Sequence, residues 1–116
     1  MAARLAAVVI GSARPTRTLA WYRSRLGLPG DGGVLEAGPA CVMITERPGT
    51  SRPGPEPTRL ITNFSVADVL ALESWLVQTG ATWVRELEAS PWGRIGTLLD
   101  PDGNYVQVIE DIRRTT

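Results

Sequence analysis

The stretch "SPWGRIGTLLDPDGNYVQVIE", residues 90–110, reads as a hairpin. Two apolar segments, "RIGTLL" and "NYVQVIE", flank the tetrapeptide "DPDG". Pro101 stands at the second position of a tight turn and Gly103 at the fourth, where their backbone preferences favour one. The segment after the turn alternates. Val106 and Val108 fall on one face of a strand and Tyr105, Gln107 and Ile109 on the other, because successive side chains point to opposite sides. The valine face is expected to pack on a helix. The other face looks toward whatever the sheet encloses. A one-residue slip would exchange the two faces, so a turn that sets the register is worth keeping for the fold alone.

Working outward, the elements before this hairpin follow an order that occurs twice. "RLITNFSV" (59–66) reads as a strand and "SVADVLALESWLVQTG" (65–80) as a helix, with Asp68 as its N-cap, Val69, Leu72 and Leu76 as its buried stripe and Gly80 at its end. "ATWVREL" (81–87) follows as a strand. In the first half, "LAAVVI" (5–10) is a short apolar strand ending at Gly11. "SARPTRTLAWYRSRLG" (12–27) is then a helix, with Pro15 in its first turn, Leu19, Tyr22 and Leu26 on one face and Gly27 at its end. Two strands, "GVLEAG" and "ACVMITE", close that half. Ser12 to Gly27 and Ser65 to Gly80 have equal length, which matches Leu19 with Leu72 and Tyr22 with Trp75. Two copies of a strand–helix–strands unit of roughly 55 residues make a duplicated domain, not a solenoid. Only "LPGDGG" separates Gly27 from Val34, so the first copy is expected to be one strand short. Module one covers about 1–46 and module two about 59–112. The linker between them, "RPGTSRPGPEPT" (47–58), carries four prolines and two glycines and cannot be a helix or a central strand.

Composition narrows the function. A chain of 116 residues, 43% hydrophobic, is one domain able to bury a core. A formal net charge of zero argues against nucleic acid as a partner. All 12 basic residues are Arg, suited to planar anion contacts. The single cysteine, Cys41, lies in an apolar run and reads as a buried structural thiol. It excludes both an intrachain disulfide and a cysteine metal cluster. The start, "MAARLAAVVIGSA", has the look of a small signal peptide, but the same residues make a good first strand, and a cytoplasmic protein is expected. No segment approaches the ~18 apolar residues of a membrane span, so no membrane partner is expected.

Three of these stretches carry a resemblance to the vicinal oxygen chelate superfamily, the group of glyoxalases, bleomycin resistance proteins and extradiol dioxygenases. "LAWYRSRLGL" (19–28) resembles the family's first helix, "NFSVADVLALESWLVQTGA" its second helix with the lead-in, and residues 90–110 its final hairpin. The resemblance implies an α+β fold of two βαβββ modules whose sheets form a curved mixed sheet around a cleft. It also implies a homodimer, as family members of this size form.

Metal-dependent members bind a divalent ion through His or Glu side chains projecting from corresponding strands. Counting from the matched motifs places those slots at Ala7, Ile61 and Gln107, with a fourth near Ile44 in the strand closing the first module, where Thr45 and Glu46 are close by. Ala and Ile cannot ligate, and a neutral Gln amide is a poor ligand for iron, zinc or nickel. The chain contains no His. The expectation is therefore no metal, no cofactor and no His-dependent catalytic triad. Gln107 can still offer a donor and an acceptor to a ligand.

The same face supplies the other candidates. By strand parity Arg59, Ile61 and Asn63 share a side, and Tyr105 and Ile109 flank Gln107. Trp92, in a Pro-Gly loop, suits a lid or rim contact. Arg94 follows it, and Trp83 sits in a strand that could face either way. Trp21 and Trp75, on helices, are expected in the core. Glu86, Glu88, Glu110 and Asp111 read as solvated charges, although paired carboxylates could do acid–base work. The expected function is metal-independent binding of a small organic ligand, as in drug sequestration of the bleomycin-resistance type. A lyase or isomerase of the same fold with altered chemistry and a degenerate interaction subunit are the alternatives.

Overall fold

The computed structural model describes residues 2–49 and 60–110. Arg59, Asp111 and linker positions 50–58 lie outside the described residues. In chain order the elements are β1 (Ala7–Ser12), α1 (Pro15–Arg25), β2 (Val34–Ala37), β3 (Ala40–Glu46), β4 (Thr62–Val66), α2 (Val69–Gln78), β5 (Thr82–Glu88), β6 (Ile95–Leu99) and β7 (Tyr105–Glu110). They divide into two units, Met1–Arg52 and Pro53–Thr116. The first has the order βαββ and a three-stranded sheet, β1-β3-β2. The second has the order βαβββ and a four-stranded sheet, β4-β7-β6-β5. The fold is thus α+β, with two related modules of which the first is one strand short.

In the second unit the hairpin forms as its turn dictates. Asp100 is buried, at 4% exposure, and its carboxylate is the hub of the turn. One oxygen accepts the backbone N–H groups of Asp102 and Asn104, each at 2.9 Å, and the other accepts the Asn104 side-chain amide at 2.9 Å. Gly103, at φ +85°, closes the turn with its N–H on the Asp100 carbonyl at 3.0 Å. That backbone angle is strained for any residue with a Cβ. The register follows: Leu99 lies opposite Tyr105, Leu98 opposite Val106 and Gly96 opposite Val108. Val106 and Val108 are fully buried with Leu98, Val69 and Leu76, so the valine face packs on α2 as the alternation requires.

Both ends of α2 are fixed by its sequence. Asp68 accepts the Ala71 N–H at 3.0 Å, which satisfies one of the unpaired first-turn donors. At the other end the N–H groups of Ala81 and Gly80 bond back to the carbonyls of Leu76 and Val77 at 3.0 and 3.2 Å. Gly80 takes φ +71°, completing a Schellman ending. α1 starts at Pro15 as expected, but its entry is held by a buried polar pair. Ser12 Oγ accepts the Arg14 N–H at 3.0 Å and lies 3.1 Å from Thr18 Oγ1, with both residues fully buried.

Three expectations need correcting. The first strand runs from 7 to 12, not 5 to 10, because its partner β3 sets its length. Gly11 and Ser12 pair with Thr45 and Glu46, so the glycine continues the strand. The helices correspond with a shift of one residue from the sequence match, since they begin at Pro15 and Val69. Fully buried Tyr22 therefore answers to Leu76, not Trp75. Trp75 is not core: it is 44% exposed. Trp21 is half-buried, edge-on to Tyr22 with ring centroids 4.9 Å apart.

The missing strand can be identified. β3 stands where β7 does, central and parallel to the first strand of its unit, and β2 stands where β6 does. What the first unit lacks is the counterpart of edge strand β5. Part of that edge is met by the short "LPGDGG" run, where the Pro29 carbonyl accepts the Glu36 N–H at 2.7 Å.

Replacing Asp100 with Ala strands two backbone donors and an amide near a buried site. The expected cost is about 1–3 kcal/mol in urea-induced unfolding. Replacing neighbouring Asp102 with Asn, which leaves the Asp100 bonds in place, should change stability by less than about 0.5 kcal/mol.

Candidate functional site

Cross-strand partners in a pleated sheet point to the same side. In the second unit Asn63 pairs with Gln107, Gln107 with Thr97 and Thr97 with Arg85, so these four form a single row across all four strands. The row is on the face turned away from Val106, Val108 and α2. Tyr105 and Leu99 flank it on one side, and Ser65, Ile109 and Ile95 on the other. Tyr105, Gln107 and Ile109 are each half-buried on that face. Ile61, just before β4, shares the side of Asn63 by alternation and is also half-buried, while Asn63 is exposed. The second unit thus brings together Ile61, Asn63, Tyr105, Gln107 and Ile109.

Thr97 is the member that sequence reasoning missed. It is 7% exposed, in the middle of the row. Equal steps back from the four-residue "DPDG" turn would place Gly96 opposite Gln107; the structure pairs Asp100 with Asn104, one residue further on, and so brings Thr97 there instead.

Trp83 does not join this group. It pairs with Leu98, on the side of α2, whereas Arg85 pairs with Thr97 on the side of the row. Two residues of β5 there span one step of β6, a β-bulge that puts residues 83 and 85 on opposite faces. The Trp83 ring covers Gly96: a Cβ on that glycine would lie 3.0 Å from Trp83 Cζ3 and 3.2 Å from Leu87 Cδ2. Trp83 is therefore a packing residue.

Trp92 and Arg94 lie in the turn before β6. The Ser90–Gly93 turn is closed by two reciprocal backbone bonds of 3.1 and 3.2 Å. The Ser90 hydroxyl accepts the Trp92 N–H at 3.2 Å and donates to the Gly93 carbonyl. This ordered turn presents Trp92 at 68% exposure. Arg94 is tied to the end of β7 through its backbone: its N–H meets Glu110 Oε1 at 3.3 Å, and its carbonyl accepts the Glu110 N–H at 2.9 Å. Its residue is exposed.

Ala7 belongs to the first unit. It pairs with Cys41, on the side of its sheet opposite Val8, Val42 and Leu35, and so away from buried Leu35 and Val42. Since β3 stands where β7 does, Val42 answers to Val106 and Met43 to Gln107. The fourth slot is accordingly Met43 and not Ile44, which is 5% exposed on the Val42 side. Cys41 is half-buried on the Ala7 side instead of in the core.

The side chains at the four slots are therefore Ala7, Met43, Ile61 and Gln107. They offer at most a thioether and an amide. Among the described residues no three of His, Cys, Asp and Glu come together in a way that could hold a metal ion. The Asp100 carboxylate is taken up by its turn, and Glu88 is paired with Arg85 at 2.6 Å. This donor set does not fit the divalent metal of the metal-dependent members, which favours imidazole, thiolate or carboxylate.

The same combination of duplicated βαβββ modules and slot-bearing strands defines a known class. The profile of the Glyoxalase/Bleomycin resistance protein/Dioxygenase superfamily matches residues 4–108, and the chain belongs to that superfamily. Among solved structures it is similar to lactoylglutathione lyase from Agrobacterium tumefaciens, at 16% identity and TM-score 0.68 over 94% of each chain. It is similar to TioX from Micromonospora sp. ML1, at 22% identity and TM-score 0.71, covering 93% of this chain and 98% of that one. A superfamily member from Sphaerobacter thermophilus DSM 20745 shares 20% identity at TM-score 0.71, covering 95% of this chain and 98% of that one. At these identities the likeness is one of fold. None of the curated proteins matches the chain. Among the described residues no helix is long and apolar enough to cross a membrane.

The two faces of β7 should separate in mutagenesis. Val106→Ala is expected to cost about 1–3 kcal/mol of unfolding free energy through lost burial and a residual cavity. Gln107→Ala should stay within about 0.5 kcal/mol of the parent. Urea titrations followed by Trp fluorescence measure both, and the opposite ranking would mean that the faces are reversed.

Proposed function

We propose that this protein binds a small organic molecule without a metal ion, against the open face of the β4-β7-β6-β5 sheet. The observation that carries the reading is the row Asn63–Gln107–Thr97. It offers neutral hydrogen-bonding groups on three adjacent strands, set between Tyr105 and Leu99 on one side and Ile109 and Ile95 on the other. An apolar surface with a few placed polar groups is what a ligand site needs: the apolar part drives burial, and the polar part fixes orientation. Gln107 stands where metal-dependent relatives place a ligating side chain, and its amide can both donate and accept. Trp92, presented by its closed turn, is suited to cover a bound molecule from the rim, and Arg94 to meet an anionic group. Sequestration of a drug-like compound, as the bleomycin resistance proteins in the superfamily's name suggest, is the activity this arrangement fits best.

The test is a thermal-shift screen of natural-product antibiotics and aromatic metabolites, run with and without chelator. A compound at 100 times its Kd should stabilise the protein by about 2.7 kcal/mol. Gln107→Ala should weaken that compound by about 1 kcal/mol, close to fivefold, with little change in the melting point of the free protein. The chelator should change neither. One equivalent of tightly held iron, zinc, nickel or manganese by elemental analysis would overturn the metal-independent reading.

A further inference from the structure

The chain is neutral only in sum. The first unit, Met1–Arg52, holds seven arginines against three carboxylates, those of Asp31, Glu36 and Glu46. The second, Pro53–Thr116, holds five arginines against nine carboxylates. Four of the first unit's arginines stand on α1 or at its N-cap: Arg14, Arg17, Arg23 and Arg25. No Asp or Glu accompanies them on the helix. Arg14 and Arg17 occupy its N-terminal end, where the N–H groups form the positive end of the helix dipole and a further positive charge is unfavourable. Helix stability therefore does not account for their placement.

Arg17, Trp21 and Arg25 recur at i, i+4 and i+8 and line one flank of α1 over ~12 Å. Arg14 precedes Arg17 by one turn. Arg14 and Arg17 are exposed, and Trp21 and Arg25 are half-buried. Arg25 Nη1 donates to Ser24 Oγ at 2.8 Å, an exposed bond that keeps the guanidinium at the surface. Arg23, two residues after Trp21, belongs to the other flank.

We propose that the Arg14–Arg17–Trp21–Arg25 flank of α1 binds single-stranded nucleic acid. Cations in line meet successive phosphates, and a planar guanidinium takes a phosphate through two parallel N–H bonds. Trp21, between Arg17 and Arg25, offers ring surface on which an unpaired base stacks. A duplex keeps its bases stacked on one another. An acidic peptide would use the arginines and leave the indole idle. An anionic membrane takes up apolar side chains, and the exposed residues of this flank, Arg14, Arg17 and Ser24, are polar. This inference is independent of the ligand reading, which concerns the sheet of the second unit.

The experiment titrates the full chain into a labelled oligothymidylate and follows fluorescence anisotropy at several salt concentrations. Binding is expected at low salt, and log K should fall against log salt with a slope of about −2, from three phosphates at ~0.7 each. Arg14→Gln and Arg17→Gln should each flatten that slope by ~0.7 and leave the melting temperature unchanged or slightly raised. Arg23→Gln, on the other flank, should keep the parent slope. Trp21→Leu should weaken the oligothymidylate about tenfold and leave inorganic polyphosphate unaffected, which separates stacking from charge. The proposal is overturned by any of four results: no binding at low salt, an Arg23→Gln loss equal to that of Arg17→Gln, a folded Trp21→Leu chain that binds like the parent, or binding of polyglutamate or phosphatidylserine vesicles as tight as that of the oligonucleotide.

Discussion

The Asp100 carboxylate is the constraint on which the second unit depends. It is buried and accepts three hydrogen bonds from the turn that follows it, two of them from backbone N–H groups. That turn places β7 beside β6 in one register. Once the register is set, alternation sends Val106 and Val108 to α2 and Tyr105, Gln107 and Ile109 to the other side. A shift of one residue would bury an amide under the helix and expose two valines, which would cost both the core and the candidate site. The turn thus links a local hydrogen-bond network to the position of every side chain proposed to touch a ligand.

The first unit shows what happens when one strand of the plan is removed. β1, β3 and β2 repeat the pairing of β4, β7 and β6, and Val42 and Leu35 occupy the places of Val106 and Leu98. Among the described residues no counterpart of β5 is formed, and a carbonyl from the Pro-Gly run supplies one of the edge bonds. Its surviving face carries Ala7, Val9, Cys41 and Met43, which are weak partners for a polar ligand. The polar row belongs to the second unit, and the equivalent strands of the first carry apolar and sulfur-bearing side chains.

The side chains at the slots that the resemblance implies are a poor match for the divalent metal of the superfamily's metal-dependent members. Those side chains, of Ala7, Met43, Ile61 and Gln107, are methyl, thioether, branched alkyl and amide. Such a surface can still bind by excluding water and by matching hydrogen bonds.

Much of this was legible in the sequence because it rests on local physics. Pro101 and Gly103 announce a turn, Asp68 a cap, Gly27 and Gly80 helix ends, and alternation the two faces of β7. The absence of His rules out imidazole ligation whatever the fold. Other features were decided by partners distant in the chain. Whether Gly11 ends or continues β1 depends on how far β3 extends beside it. The bulge that turns Trp83 toward α2 exists only in the pairing of β5 with β6, and parity along β5 alone points either way. Trp75, a large aromatic on a helix, is expected in the core, but the buried stripe is that of Val69 and Leu76, and Trp75 lies off it at 44% exposure. Thr97 enters the polar row only because β6 lies antiparallel to β7 in the register its turn sets. Local preferences fix what each segment is; the pairing of segments fixes which side chains meet.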